Sequence, residues 1–194
     1  AFAGIGLLIS TVEPSLLAAT IMHKGERPGD AAARALDEID SPHTHDLARA
    51  MRLEDYSQRR RGRPSTFRMQ AAIDPLLVAL TDSRPVIRRL AVWGLSEMRY
   101  RSTIAPLRTM LIDGDADVRA GTARALGDIG DRSIVPDLLP MMDDPEATVR
   151  TGVAHALGDL RDDRADSALR RHLGDPSPEV RAASAWGIHE LIDP

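Results

Sequence analysis

From Ile73 onward the apolar positions fall into helical stripes, and the whole pattern returns every 31 residues. Ile87, Val118, Val149 and Val180 form one column. Leu95, Leu126, Leu157 and Ile188 form a second, and Met98, Ile129, Leu160 and Leu191 a third. Within one copy, Val118, Thr122, Ala125 and Ile129 follow each other at steps of four, three and four, which places them on one helix face. Gly121 and Ala125 are small enough to let a neighbouring helix approach. A shorter apolar segment precedes each of these helices: IDPLLVALTD, IAPLRTMLID and IVPDLLPMMD. Pro106 and Pro136 suit a first helical turn, where no amide N–H is required. Pro140 would fall inside its helix, so that element is expected to be short or distorted. Each unit therefore reads as helix, tight turn, helix, tight turn. A unit this small cannot bury its own apolar face, so stacking of neighbours is required. The predicted fold is all-α: an α-α superhelix of four clear helical hairpins, with degenerate helices before them.

A polar pattern runs with the apolar one. Asp82 and Arg88, Asp113 and Arg119, Asp144 and Arg150, and Asp175 and Arg181 each stand six apart. An aspartate at a helix entrance can accept backbone N–H groups. An arginine one turn into that helix can bridge to an aspartate of its own unit or of the neighbouring one. The expected result is a structural ladder of charge pairs along the stack.

The motif D-[PG]…VR…A…ALG-[DE]-[IL], complete in the two central copies and partly kept in the outer two, recurs four times at constant spacing between Ile73 and Leu191. It resembles the HEAT-repeat family, and within it the short repeats found in phycobilin lyases. The resemblance implies a right-handed α-solenoid whose second helices line a concave surface. It implies no single activity.

In such an array the core columns hold the stack and the surface columns are free to diverge. The column that diverges most is Trp93, Arg124, His155 and Trp186, roughly opposite the Val/Ile stripe and expected to be exposed. Four residues later stand Glu97, Asp128, Asp159 and Glu190, on the same helix face. This pairing predicts a strip of carboxylates beside aromatic and cationic groups. Tryptophans can anchor a partner chain, and a carboxylate row favours a basic peptide. The alternative is an ordinary solvated face, with each tryptophan lying over the neighbouring helix.

Composition narrows the chemistry. The formal charge of −4 gives no global argument for nucleic acid. The absence of cysteine excludes disulfides, thiolate zinc sites and cysteine nucleophiles. No phosphate-binding glycine loop or nucleophile elbow is present. Deoxyhypusine hydroxylase, a HEAT-like metalloenzyme, is built on repeated His-Glu pairs. Here His189-Glu190 stands alone, aligned with Gly158-Asp159, Gly127-Asp128 and Ser96-Glu97. That activity is therefore not expected. His43 and His45 form a lone H-x-H, a weak metal signal. No catalytic residue, metal or cofactor is expected. A bilin lyase-like role, or a role as the accessory or regulatory tail of a membrane enzyme, stays open beside partner binding.

The N-terminal part divides into an apolar segment at residues 1–22, a degenerate helical region at 23–56 and a basic linker at 57–68. The repeat domain occupies 69–194. Residues 1–22 carry one charge, Glu13, and are long enough to cross a bilayer. Glu13 and Pro14 at the centre equally suit a degenerate repeat. In the membrane reading the repeat domain is a tethered cytoplasmic one. Arg59, Arg60, Arg61, Arg63 and Arg68 crowd the linker, which is read as solvated or as a contact for acidic lipid, nucleic acid or an acidic partner.

Overall fold

The computed structural model describes residues 73–192 except 75 and 98. The apolar segment, the degenerate region with His43 and His45, and the linker arginines lie outside the described residues. So does the side chain of Glu97. The described residues contain helices and turns and no strand, and the fold is an α-α superhelix. None of their helices is long and apolar enough to cross a membrane. The chain divides into two compact units, residues 1–94 and 95–194.

In the first unit, residues 73–74 and 76–79 are helical and precede α1 (Pro85–Glu97). Ile87 and Ala91 are fully buried. Leu76 packs where Gly94 has no side chain: a Cβ there would lie 2.8 Å from a Leu76 methyl. The turn before α1 is organised by Asp82. Its carboxylate accepts the Arg84 amide at 2.9 Å and the Arg84 guanidinium at 2.9 Å through each of two nitrogens.

The second unit repeats one plan. A 3₁₀ turn (Arg101–Thr103) leads into α2 (Ile104–Met110), and α3 follows (Ala116–Ile129). Next come α4 (Val135–Leu138) and α5 (Ala147–Leu160), then α6 (Asp166–Arg171) and α7 (Pro178–Ile192). Asp115 caps α3 by accepting the Val118 amide at 3.0 Å. Gly130 ends α3 in the left-handed region at φ 78°, and Arg161 ends α5 there at φ 47°. α4 lasts four residues before the chain tightens into a 3₁₀ segment, Leu139–Asp143. Pro140 falls in that segment, where its missing N–H breaks an α-helical ladder. α6 also gives way to a 3₁₀ turn, His172–Gly174, without a proline. A short first helix therefore belongs to the unit itself, and Pro140 accentuates it.

Val118, Leu126, Val149, Leu157 and Val180 from the second helices are buried with Leu107, Leu138 and Leu169 from the first. The second helices approach most closely over glycine. A Cβ on Gly127 would lie 2.7 Å from the Ala156 Cα, and one on Gly158 would lie 2.8 Å from the Gly187 Cα. Gly152 meets the Ala120 carbonyl in the same way, at 2.9 Å.

The Asp–Arg columns make two kinds of bond. Each arginine donates one nitrogen, Nη1, to the carbonyl of its own turn's aspartate: Arg88 to Asp82 at 2.9 Å, and Arg119, Arg150 and Arg181 to Asp113, Asp144 and Asp175 at 2.8 Å. In Arg119 and Arg150 the other edge of the guanidinium reaches the following unit. Arg119 grips the Asp144 carboxylate at 2.9 and 3.0 Å, and Arg150 grips Asp175 at 2.8 and 2.9 Å. Asp144 and Asp175 each also accept the amide two residues on, shaping the entrance turn. A second tie runs along the loops. Arg132 donates to the Leu160 carbonyl at 3.0 Å, and Arg164 to the Arg132 carbonyl at 2.9 Å.

Candidate interaction surface

α3, α5 and α7 lie side by side, and the divergent column crosses them as Arg124, His155 and Trp186. All three are half-buried, as is Trp93 on α1 of the first unit, where helical spacing alone suggested exposure. For Trp186 the reason is a glycine of the adjacent helix. Trp186 covers Gly158 so closely that a Cβ there would lie 2.7 Å from the indole. The indole also meets the His155 ring, with centroids 5.0 Å apart and planes at 50°. A helix considered alone cannot show this berth, because the neighbour supplies it.

The accompanying carboxylates lie further out. Asp128 and Asp159 are exposed, and Glu190 is partly covered and paired with Arg161. Glu97 is the last residue of α1. Among the described residues, the side chains of Arg124, Asp128, His155 and Asp159 form no hydrogen bond or ion pair, while the His155 ring meets the Trp186 indole.

The electrostatics of the strip follow from that geometry. Protein mass on the inner side removes water from Arg124 and lowers its pKa, against the pull of Asp128 and Asp159. The same dehydration raises Asp128, against Arg99 and Arg124. It raises Asp159 to about 6, assisted by the like charges of Asp128 and Glu190. His155 is lowered by dehydration and then by Arg124. Every one of these four groups is pushed toward its neutral form. The strip carries charge that the protein leaves uncompensated by contact.

No group of three His, Cys, Asp or Glu side chains is placed to hold a metal among the described residues. The ladder residues lie at the helix entrances and are engaged with one another. The sequence reading missed the glycines Gly127, Gly152 and Gly158 as close-approach points, and it missed the Arg132–Arg164 tie. Gly127 and Gly158 were visible in the ALG motif, and Gly152 shares the column of Gly121; the tie was not visible, because its arginines do not occupy one column.

Residues 65–121 and 104–189 match the HEAT-repeat family. No curated protein matches the sequence. Among solved structures, the chain is similar to the complex of CpcE and CpcF of phycocyanin lyase from Nostoc sp. PCC7120. That match has 21 % identity and a TM-score of 0.65, over 90 % of this chain and 68 % of that one. Human deoxyhypusine hydroxylase in complex with glycerol matches at 21 % identity and a TM-score of 0.53, over 96 % and 73 % of the two chains. An engineered protein matches at 15 % identity and a TM-score of 0.52, over 93 % and 97 %. At these identities the likeness concerns the fold.

Proposed function

We propose, given that this chain belongs to the HEAT-repeat family, that it is a non-catalytic protein-binding scaffold. In this reading its partner docks across the second helices, on Arg124, Asp128, His155, Asp159, Trp186 and Glu190. Trp93 and Glu97 continue the same sequence columns on α1. The observation that carries the reading is the uncompensated strip: exposed Asp128 and Asp159 without ion-pair partners, beside a half-buried indole and imidazole. A carboxylate row next to an aromatic platform fits a basic peptide or helix, whose cations would supply the missing counter-charge and whose apolar stems would cover the indole. Likeness to a chain solved in complex with another protein supports a protein partner. A bilin lyase-like or accessory role rests on the same fold likeness.

The test compares partner capture by the wild-type chain, by Trp93→Ala plus Trp186→Ala, and by Asp128→Asn plus Asp159→Asn. Loss of capture in both variants, and weakening of the wild-type interaction by salt, are expected. Unchanged capture in both would remove this strip from the account.

A further inference from the structure

Two positions past the strip carboxylates of α1, α3 and α5 the chain enters the left-handed region, with Arg99 at φ 50°, Gly130 at φ 78° and Arg161 at φ 47°. Only glycine adopts this conformation without steric cost, yet arginine stands at two of the three positions. Its use is visible at Arg161. That guanidinium crosses to the next second helix and donates to the Glu190 carboxylate, 29 residues on. Asp128 follows Arg99 by the same step. Burial raises the pKa of Asp128, and Arg99 is the foremost charge opposing that rise.

The same step from Gly130 reaches Asp159. Here the column supplies no arginine, and the space is open: a Cβ on Gly130 would meet nothing within 4 Å. Asp159 is exposed, whereas the Glu190 side chain paired with Arg161 is 21 % exposed. Two cations act on Asp159 through space, Arg124 and Arg161, and Arg161 is committed to Glu190. Asp128, two residues before Gly130, adds a second negative charge beside Asp159. The opening lies between two successive second helices, α3 and α5, so it is a property of this pair.

We infer that Asp159 and the open backbone of Gly130 form a seat for one arginine side chain of a partner, whose guanidinium takes the place beside Asp159 that Arg161 takes beside Glu190. This rests on the reading of the strip as a docking surface for a basic partner, and adds where the cation lands and which cation it is. Arginine suits the seat better than lysine, because its planar fork can hold both oxygens of a carboxylate and is less strongly hydrated than an ammonium.

The test is an NMR titration of the full chain, labelled at amide nitrogens and aspartate carboxyl carbons. The probe is Nα-acetyl-argininamide, whose one charge is its guanidinium. Saturable shifts should centre on the Asp159 carboxyl and the Gly130 amide. Nα-acetyl-lysinamide should bind more weakly. Asp159→Asn should weaken binding about fivefold, as for an exposed charge pair. Gly130→Arg should abolish the saturable response, because the chain's own guanidinium then takes the seat, and should lower the pH at which the Asp159 carboxyl titrates. Gly130→Ala bears the same backbone strain without a guanidinium and should keep the response. No saturable shift at Asp159, a response as strong in Gly130→Arg as in wild type, or its loss in Gly130→Ala would each overturn the inference. No partner chain enters this titration, so its failure removes the seat alone, whereas unchanged capture in the strip variants removes the protein partner.

Discussion

Arg150 holds both carboxylate oxygens of Asp175, a residue of the following unit, at 2.8 and 2.9 Å. The Asp175 side chain is only 5 % exposed, so it depends on this guanidinium for its charge. Breaking a buried pair by removing one partner costs about 3–5 kcal/mol. Because the pair still touches solvent, Arg150→Ala should fall near the lower end, about 3 kcal/mol. Urea denaturation would read this as a lower midpoint at unchanged slope. Arg150→Lys should recover only part of the loss, since an ammonium cannot match the planar fork.

The same contacts set an acid limit. Hydrogen bonding from Arg150 holds Asp175 below the ordinary carboxylate range, and that from Arg164 holds Asp162 at about 2. For Asp144, the upward push of burial is outweighed by the bonds from Arg119 and the Glu146 amide. A depressed carboxylate stabilises the fold at pH above its unfolded value, about 4, and loses that contribution as pH falls through the folded value. Stability should therefore drop between about pH 4 and pH 2. Arg119→Ala plus Arg150→Ala should flatten this limb in thermal melts recorded across that range.

Asp159 carries the opposite sign. Its pKa is raised to about 6, so its ionisation costs stability as pH climbs from about 4 through about 6. Asp159→Asn should stabilise the chain at neutral pH by about 1 kcal/mol after solvent screening, and by nothing at pH 4 or below. Melting temperatures of both proteins at the two pH values would decide it. A basic partner on the strip should bind wild type more tightly above pH 6 than below pH 5, and this pH dependence should shrink in Asp159→Asn.

Gly158→Ala tests the berth under Trp186. The new methyl would meet both the indole at 2.7 Å and the Gly187 backbone at 2.8 Å. Overpacking of this kind costs about 1–3 kcal/mol. Adding Trp186→Ala should not restore stability, because the backbone clash remains. Thermal unfolding of the single and double variants separates these outcomes.

The repeat made much of this legible. The columns through Val118 and Leu126 identified the buried face, and Pro140 marked a first helix that ends early. The Asp and Arg columns were visible as columns, but a constant spacing treats a bond within a unit and a bond to the next unit alike. Stacking decides, and it divides the guanidinium groups of Arg119 and Arg150 between the two. Trp186 lies over the neighbouring helix, the alternative that the divergent column left open; spacing within one helix could not decide it, because Gly158 belongs to another. Arg132 and Arg164 escaped notice because they sit one position out of register in their respective units.

The ladder gives each unit a direction: an arginine leads and an aspartate receives. Junctions Arg119–Asp144 and Arg150–Asp175 are chemically interchangeable, so unit length acts as a unit of exchange. Removing or duplicating one 31-residue stretch inside the array brings a leading arginine against a receiving aspartate again. Removing one residue fewer rotates every following helix by about 100° and misaligns each later junction. The gene for such a chain can therefore gain or lose whole units and still encode compatible neighbours.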